Sequence, residues 1–127
     1  MNLLEGLNIE YIRVHDDSLE AKMSLTPFHC QAFGYLHGGA TLAFGETVAG
    51  YASKEKISED QAAVGQTVTA NHMKLQKSEG YIIAKGKLLH QGCRFHVWSI
   101  EMLDQNNRLI SHMTVTNAIV HLYRETE

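Results

Sequence analysis

The spacing of hydrophobic residues changes character near residue 60. Beyond it, apolar and polar positions alternate with a period of two over residues 63–76, 81–91, 94–104 and 108–122, and each run reads as a strand. The breaks between them, Ser78-Glu79-Gly80, Gln91-Gly92-Cys93 and Asp104-Gln105-Asn106-Asn107, carry turn-forming residues. Residues 19–25 alternate in the same way, a weaker strand covers residues 9–15, and Asp16-Asp17 makes a turn between them. One segment has a different pattern. Over residues 38–56 the apolar side chains Leu42, Ala43, Phe44, Val48, Ala49, Tyr51 and Ala52 suit a long helix buried over much of its surface. Lys54 and Lys56 place positive charge at its C-terminal dipole end. Pro27, the single proline, stands before a loop over residues 27–36. Strands, one long helix, then four strands with short connections predict an antiparallel meander with the helix packed on it, an α+β arrangement.

Composition narrows the function. At 127 residues the chain is expected to form one domain with a modest core, and its 44% apolar and 20% charged content is ordinary for a globular protein. A net charge of −3 supplies no basic field for nucleic acid or an anionic membrane. No apolar run reaches membrane-spanning length, and Glu5 interrupts the apolar N-terminus, so no signal peptide is expected. Cys30 and Cys93 form no motif and read as reduced thiols of a cytoplasmic protein. Eight histidines invite a metal hypothesis, but no His-x-His, HExxH or Cys-x-x-Cys spacing is present; neither a metal nor a cofactor is expected.

The candidate chemistry lies around the helix. Glu46 is the only charged residue between His37 and Lys54, and a lone carboxylate on a buried helix costs desolvation unless it is paired or used. His37-Gly38-Gly39 falls where the helix begins, so free N–H groups and the positive dipole end point outward there. An oxyanion-stabilising helix start followed by an acid suits acyl chemistry. Each feature also has a plainer reading. Glu46 could pair with a buried His, and His37-Gly38-Gly39 could be only a glycine-rich turn. His72 could be a structural strand residue, and Arg94 a solvated strand end. Gly38, Gly39, Gly45 and Gly50 weaken the helix by up to about 1 kcal/mol each if interior, which makes sense if a backbone or ligand comes close.

Taken in order, these residues resemble the hotdog-fold acyl-CoA thioesterases. The nearest branch is the 4-hydroxybenzoyl-CoA thioesterase type in which the helix carries a Glu, with the phenylacetate-pathway, dihydroxynaphthoyl-CoA and enterobactin-proofreading thioesterases. The resemblance rests on Gln31, the run Phe33-Gly34-Tyr35-Leu36-His37-Gly38-Gly39, Glu46, Ala70-Asn71-His72, and Gly92-Cys93-Arg94 leading into Val97-Trp98; it spans residues 10–120. It implies a helix wrapped by a sheet, with Glu46 as general base or nucleophile. It implies the Gly38 N–H on the thioester carbonyl, with Gln31 and His37 beside it. His72 would line the acyl pocket, the Gly92–Arg94 turn with Cys93 would meet the CoA phosphates, and Gly50, Val64 and Gly65 would also contact substrate. Many relatives carry Ser or Thr where Gly50 stands, a departure that touches the placing of water and the substrate's shape but not the reaction class.

The implied activity is hydrolysis of an acyl-CoA or acyl-carrier-protein thioester. Two competitors remain open at this stage: an enoyl-acyl hydratase or dehydratase on the same fold, whose usual helix motif is missing, and a non-catalytic acyl-CoA sensor, for which a DNA-binding segment is missing. The spacing also bears on assembly. Gly38 and Glu46 are separated by roughly 12 Å of helix rise, too far for one thioester carbon to meet both within one chain. A two-fold dimer with shared sites solves this, and the resemblance implies a dimer of dimers.

Overall fold

The computed structural model describes residues 1–122. Residues 123–127, which the single-domain expectation includes, lie outside the described residues. Along the chain run helix α1 (Leu3–Leu7), strands β1 (Ile9–His15) and β2 (Ser18–Ser24), a 3₁₀ turn (Pro27–His29) and helix α2 (Gly38–Lys54). Strands β3 (Gln61–His72), β4 (Tyr81–Gln91), β5 (Phe95–Asp104) and β6 (Leu109–His121) follow.

All six strands form one antiparallel sheet in the order β1-β2-β4-β5-β6-β3. The expected meander holds only from β4 to β6. β3 does not pair with its successor β4; it pairs with β6 and forms the far edge, while β2 takes the place beside β4. The Asp16-Asp17 turn joins β1 to β2 as expected, with Asp16 at φ 51°. β3 stops at His72, short of residue 76, because the chain then turns to bond elsewhere: Leu36 N–H donates to the Gln76 carbonyl at 2.7 Å.

The core follows from two periodicities. Ile82 and Ala84 of β4, Trp98, Ile100 and Met102 of β5, and Met113 and Val115 of β6 alternate toward one face and are all fully buried. Phe44, Val48, Ala49 and Ala52 of α2 cover them at helical spacing. Gly45 lies against Met113 Sδ with no room for a Cβ, so the helix can settle close onto the sheet. One helix cradled by an antiparallel sheet is the α+β hotdog arrangement that the sequence resemblance implies.

Two differences from the sequence reading bear on the site. α1 was not expected; Asn2 and Glu5 make a capping box for it, and Asn8 ends it at φ 60°. And the carboxylate expected on a buried helix does not lie on a buried face of α2. Glu46 is exposed, with Gly50 half-buried and Tyr51 exposed on the same side. The apolar residues that suggested burial over much of the helix leave this face open.

Candidate active site

The loop before α2 is fixed by its own hydrogen bonds. Gln31 N–H donates to the Tyr35 carbonyl at 2.8 Å, and His37 N–H to the His29 carbonyl at 2.8 Å. The Gln31 side-chain oxygen turns inward and accepts from the Phe33 N–H and, at 3.4 Å, from the Tyr35 N–H. Gln31 therefore shapes the loop. His37 is the N-cap of α2, and its Nδ1 accepts from the Gly39 N–H at 2.7 Å. The Ala40 N–H bonds the His37 carbonyl at 3.0 Å. Among the hydrogen bonds of the described residues, the Gly38 N–H has no acceptor, so this donor at the positive end of the helix is available.

Gly38 meets His72. A Cβ on Gly38 would lie 2.8 Å from His72 Nε2, so only glycine lets the imidazole rest on the helix start. Both line a cavity of about 100 Å³ with Leu36, Thr41, Ile110 and Ser111. The structure thus brings together Gly38 and His72, residues far apart in sequence.

Glu46 opens elsewhere. Its carboxylate rests on Gly65, where a Cβ would come within 2.8 Å of the carboxyl carbon. The pairing of β3 with β6 is irregular between Gly65 and Thr67, a bulge that bends the strand beneath the acid. Glu46, Gly50 and Gly65 line an open groove of about 360 Å³ with Leu3, Leu4, Ala43, Thr47, Tyr51 and Ala63. Nothing lies within 4 Å of a Cβ built on Gly50, so its small size leaves free space in this groove. Val64, 50% exposed, stands beside Gly65 on the same edge strand. Leu3 and Leu4 are wall residues that sequence reasoning missed; the capping residues Asn2 and Glu5 were the available signal for α1.

The β4–β5 turn lies apart from both. Gly92 and Cys93 line a pocket of about 330 Å³ with Lys56, Gln61, Gln91 and His96. Arg94 is exposed, and its carbonyl accepts the Ile119 N–H at 2.8 Å. Cys30 and Cys93 are free thiols. Among the described residues no three His, Cys, Asp or Glu side chains gather as a metal site, and no helix is long and apolar enough to cross a membrane.

One chain therefore presents an available amide with an imidazole at the start of α2, and an exposed carboxylate two turns along. It does not bring the two together. On β3, Gly65 and His72 are separated by roughly 20 Å of strand.

Comparison with known proteins gives this arrangement a family. The profile of the Thioesterase superfamily matches residues 33–111, from the loop before α2 into β6. The 1,4-dihydroxy-2-naphthoyl-CoA hydrolase of Escherichia coli K12 is 35% identical over 119 residues, covering 94% of this chain and 87% of its own. The proofreading thioesterase EntH of Cronobacter turicensis is 34% identical over 118 residues, covering 93% and 85%. The crystal structure of the Lactococcus lactis protein yhdA superposes with a TM-score of 0.93 at 43% identity, covering 97% of this chain and all of its own. The chain belongs to the Thioesterase superfamily and is an enzyme of the thioester-hydrolase class.

Proposed function

We propose that this enzyme hydrolyses an acyl-CoA thioester to the free acid and CoA, at a site completed by two copies of the chain. The observation that carries the reading is the pairing of an available Gly38 N–H at the start of α2 with a solvent-open Glu46 carboxylate on the same helix. The Gly38 N–H donates a hydrogen bond to the thioester oxygen and stabilises the negative charge that develops there as the carbonyl carbon becomes tetrahedral, with the α2 dipole behind it. Glu46 takes a proton from water, the water oxygen bonds to the carbonyl carbon, and collapse of the oxyanion breaks the C–S bond. The released thiolate takes the proton that Glu46 removed from the water, which restores the Glu46 carboxylate as the acid leaves. Direct attack by the Glu46 carboxylate, giving a mixed anhydride that water then opens, uses the same groups. The Gly92–Arg94 turn binds the CoA phosphates, for which a guanidinium has matching geometry. The open space at Gly50 and the apolar walls Leu3, Leu4 and Tyr51 suit an aromatic or medium-chain acyl group.

The partner is a second copy. β3 is a 12-residue edge strand carrying exposed Val64, and an uncovered edge of that length is a template for pairing with another chain. Two-fold pairing brings the Gly38 end of one α2 toward the Glu46 of the other, twice by symmetry.

Thiol release from a panel of acyl-CoAs, with wild-type and Glu46→Gln proteins, tests the reading. The nearly isosteric Gln removes the base or nucleophile, so kcat should fall by about 100-fold or more with the fold intact. Wild-type kcat in the variant rules out this mechanism. Enoyl hydration without thiol release points instead to a hydratase, and tight binding without turnover to a sensor.

A further inference from the structure

Ser111 is a buried hydroxyl, 3% exposed, at the β6 end of the Gly38 cavity. Strand register sets it opposite His72, and its Oγ lies 2.7 Å from His72 Nδ1. The other edge of the same imidazole, Nε2, faces Gly38, where a Cβ would come within 2.8 Å of it. Serine, imidazole and helix start therefore form a continuous row built from three elements, β6, β3 and α2.

The direction of the Ser111–His72 hydrogen bond decides what Nε2 can do. A serine hydroxyl has one proton to donate, and a neutral imidazole carries its proton on one nitrogen only. Among the hydrogen bonds of the described residues, Ser111 Oγ has no partner besides His72. If Nδ1–H donated to Oγ, the hydroxyl proton would be left buried without an acceptor, an unfavourable arrangement. If Ser111 O–H donates to Nδ1, the hydroxyl proton is satisfied and the ring proton must sit on Nε2.

We infer that Ser111 is a positioning residue that holds His72 as the Nε2–H tautomer, making that N–H a second donor, beside the Gly38 amide, for the thioester oxygen. The inference rests on the thioesterase reading above and adds a specific role to it. A carbonyl oxygen has two lone pairs and can accept from both donors, and donors fixed in advance stabilise the charge that develops there. The two donors come from different elements, and Ser111 locks the one that could otherwise rotate or change tautomer. No proton is transferred by Ser111 or His72 in this role.

The test combines nitrogen NMR of the His72 ring with steady-state kinetics on one acyl-CoA. The His72 signal is assigned by its loss in His72→Gln. Wild type should show the Nε2–H pattern. Ser111→Ala should lose it and lower kcat by about tenfold, less than the loss expected for removing a donor outright, with KM nearly unchanged. Ser111→Thr, which keeps the hydroxyl, should restore both. An Nδ1–H tautomer in wild type overturns the inference even if Ser111→Ala fails to fold. So does an altered tautomer in a folded Ser111→Ala protein whose kcat is unchanged. Absence of thiol release by wild type on every acyl-CoA, with the Nε2–H pattern present, defeats the thioesterase reading itself and with it the donor role.

Discussion

Glu46 owes its position to a residue without a side chain. Its carboxylate lies on Gly65, and a methyl group there would have to displace it. Gly65→Ala should therefore lower kcat by about tenfold or more while leaving the melting temperature within a few degrees, because the change disturbs the placing of the proposed reacting group and not the core. Wild-type kcat in this variant would show that the carboxylate is free to work from elsewhere. Arg94 should behave differently. It lies away from both the Gly38 cavity and the Glu46 groove, so Arg94→Ala should raise KM for acyl-CoA far more than it lowers kcat. The effect should shrink on an acyl-pantetheine, which has no nucleotide phosphates; an equal loss on both substrates would make Arg94 structural. Glu46 and Gly38 were legible in the sequence as a lone acid and a glycine start on one helix. The Glu46–Gly65 and Gly38–His72 contacts were not legible as contacts, since the packing of α2 against β3 sets them and no local pattern encodes it. Gln31 was legible only through the family resemblance, which sets it beside the thioester carbonyl; in the fold its amide oxygen accepts from the N–H groups of its own loop.

Helix α2 is anchored at its other end by a buried polar cluster. Ser53 Oγ accepts from Trp98 Nε1 at 2.8 Å and from Asn117 Nδ2 at 3.2 Å, leaving its proton for His96 Nδ1 at 2.8 Å. Desolvation holds the His96 pKa below its usual value, with Lys56 and His90 adding repulsion. Protonated His96 would bring a third donor to a hydroxyl with two lone pairs. A lowered folded-state pKa means that the unfolded chain takes up a proton first as pH falls. The His96 contribution is therefore complete above the unfolded value near 6.5 and is lost as pH drops below it, by up to about 1.4 kcal/mol per pH unit. Thermal melts from pH 7.5 to 5.5 should show this loss, and His96→Asn, which keeps an acceptor near the Nδ1 position, should flatten it. Equal slopes in both proteins would remove His96 from the account. Helix and strand elements were readable from their periods, with ends misplaced by a few residues. The sheet order was not, because period two reports that a strand forms and not which strand lies beside it. That is why β3 was expected within a meander and stands at the edge.

At the scale of the whole molecule, the two groups of the proposed site lie on different parts of the single chain's surface. The Gly38 cavity and the Glu46 groove share no residue. Leu3, Leu4, Tyr51 and Val64, each about half exposed, surround the acid on the side where β3 forms the edge of the sheet. A second copy covering this face would bury that apolar surface and complete two sites at once. Complementation tests this most directly. Glu46→Ala and His72→Ala proteins, each impaired alone, are unfolded together in equal amounts and refolded. In a shared-site dimer, each mixed pair holds one site with both changes and one with neither. Half of the dimers are mixed and half of their sites intact, so thiol release should recover to about a quarter of wild type. Activity no higher than the sum of the two parents, with mixed dimers demonstrated by mass, would place Glu46 and His72 in the same chain's site and contradict the account.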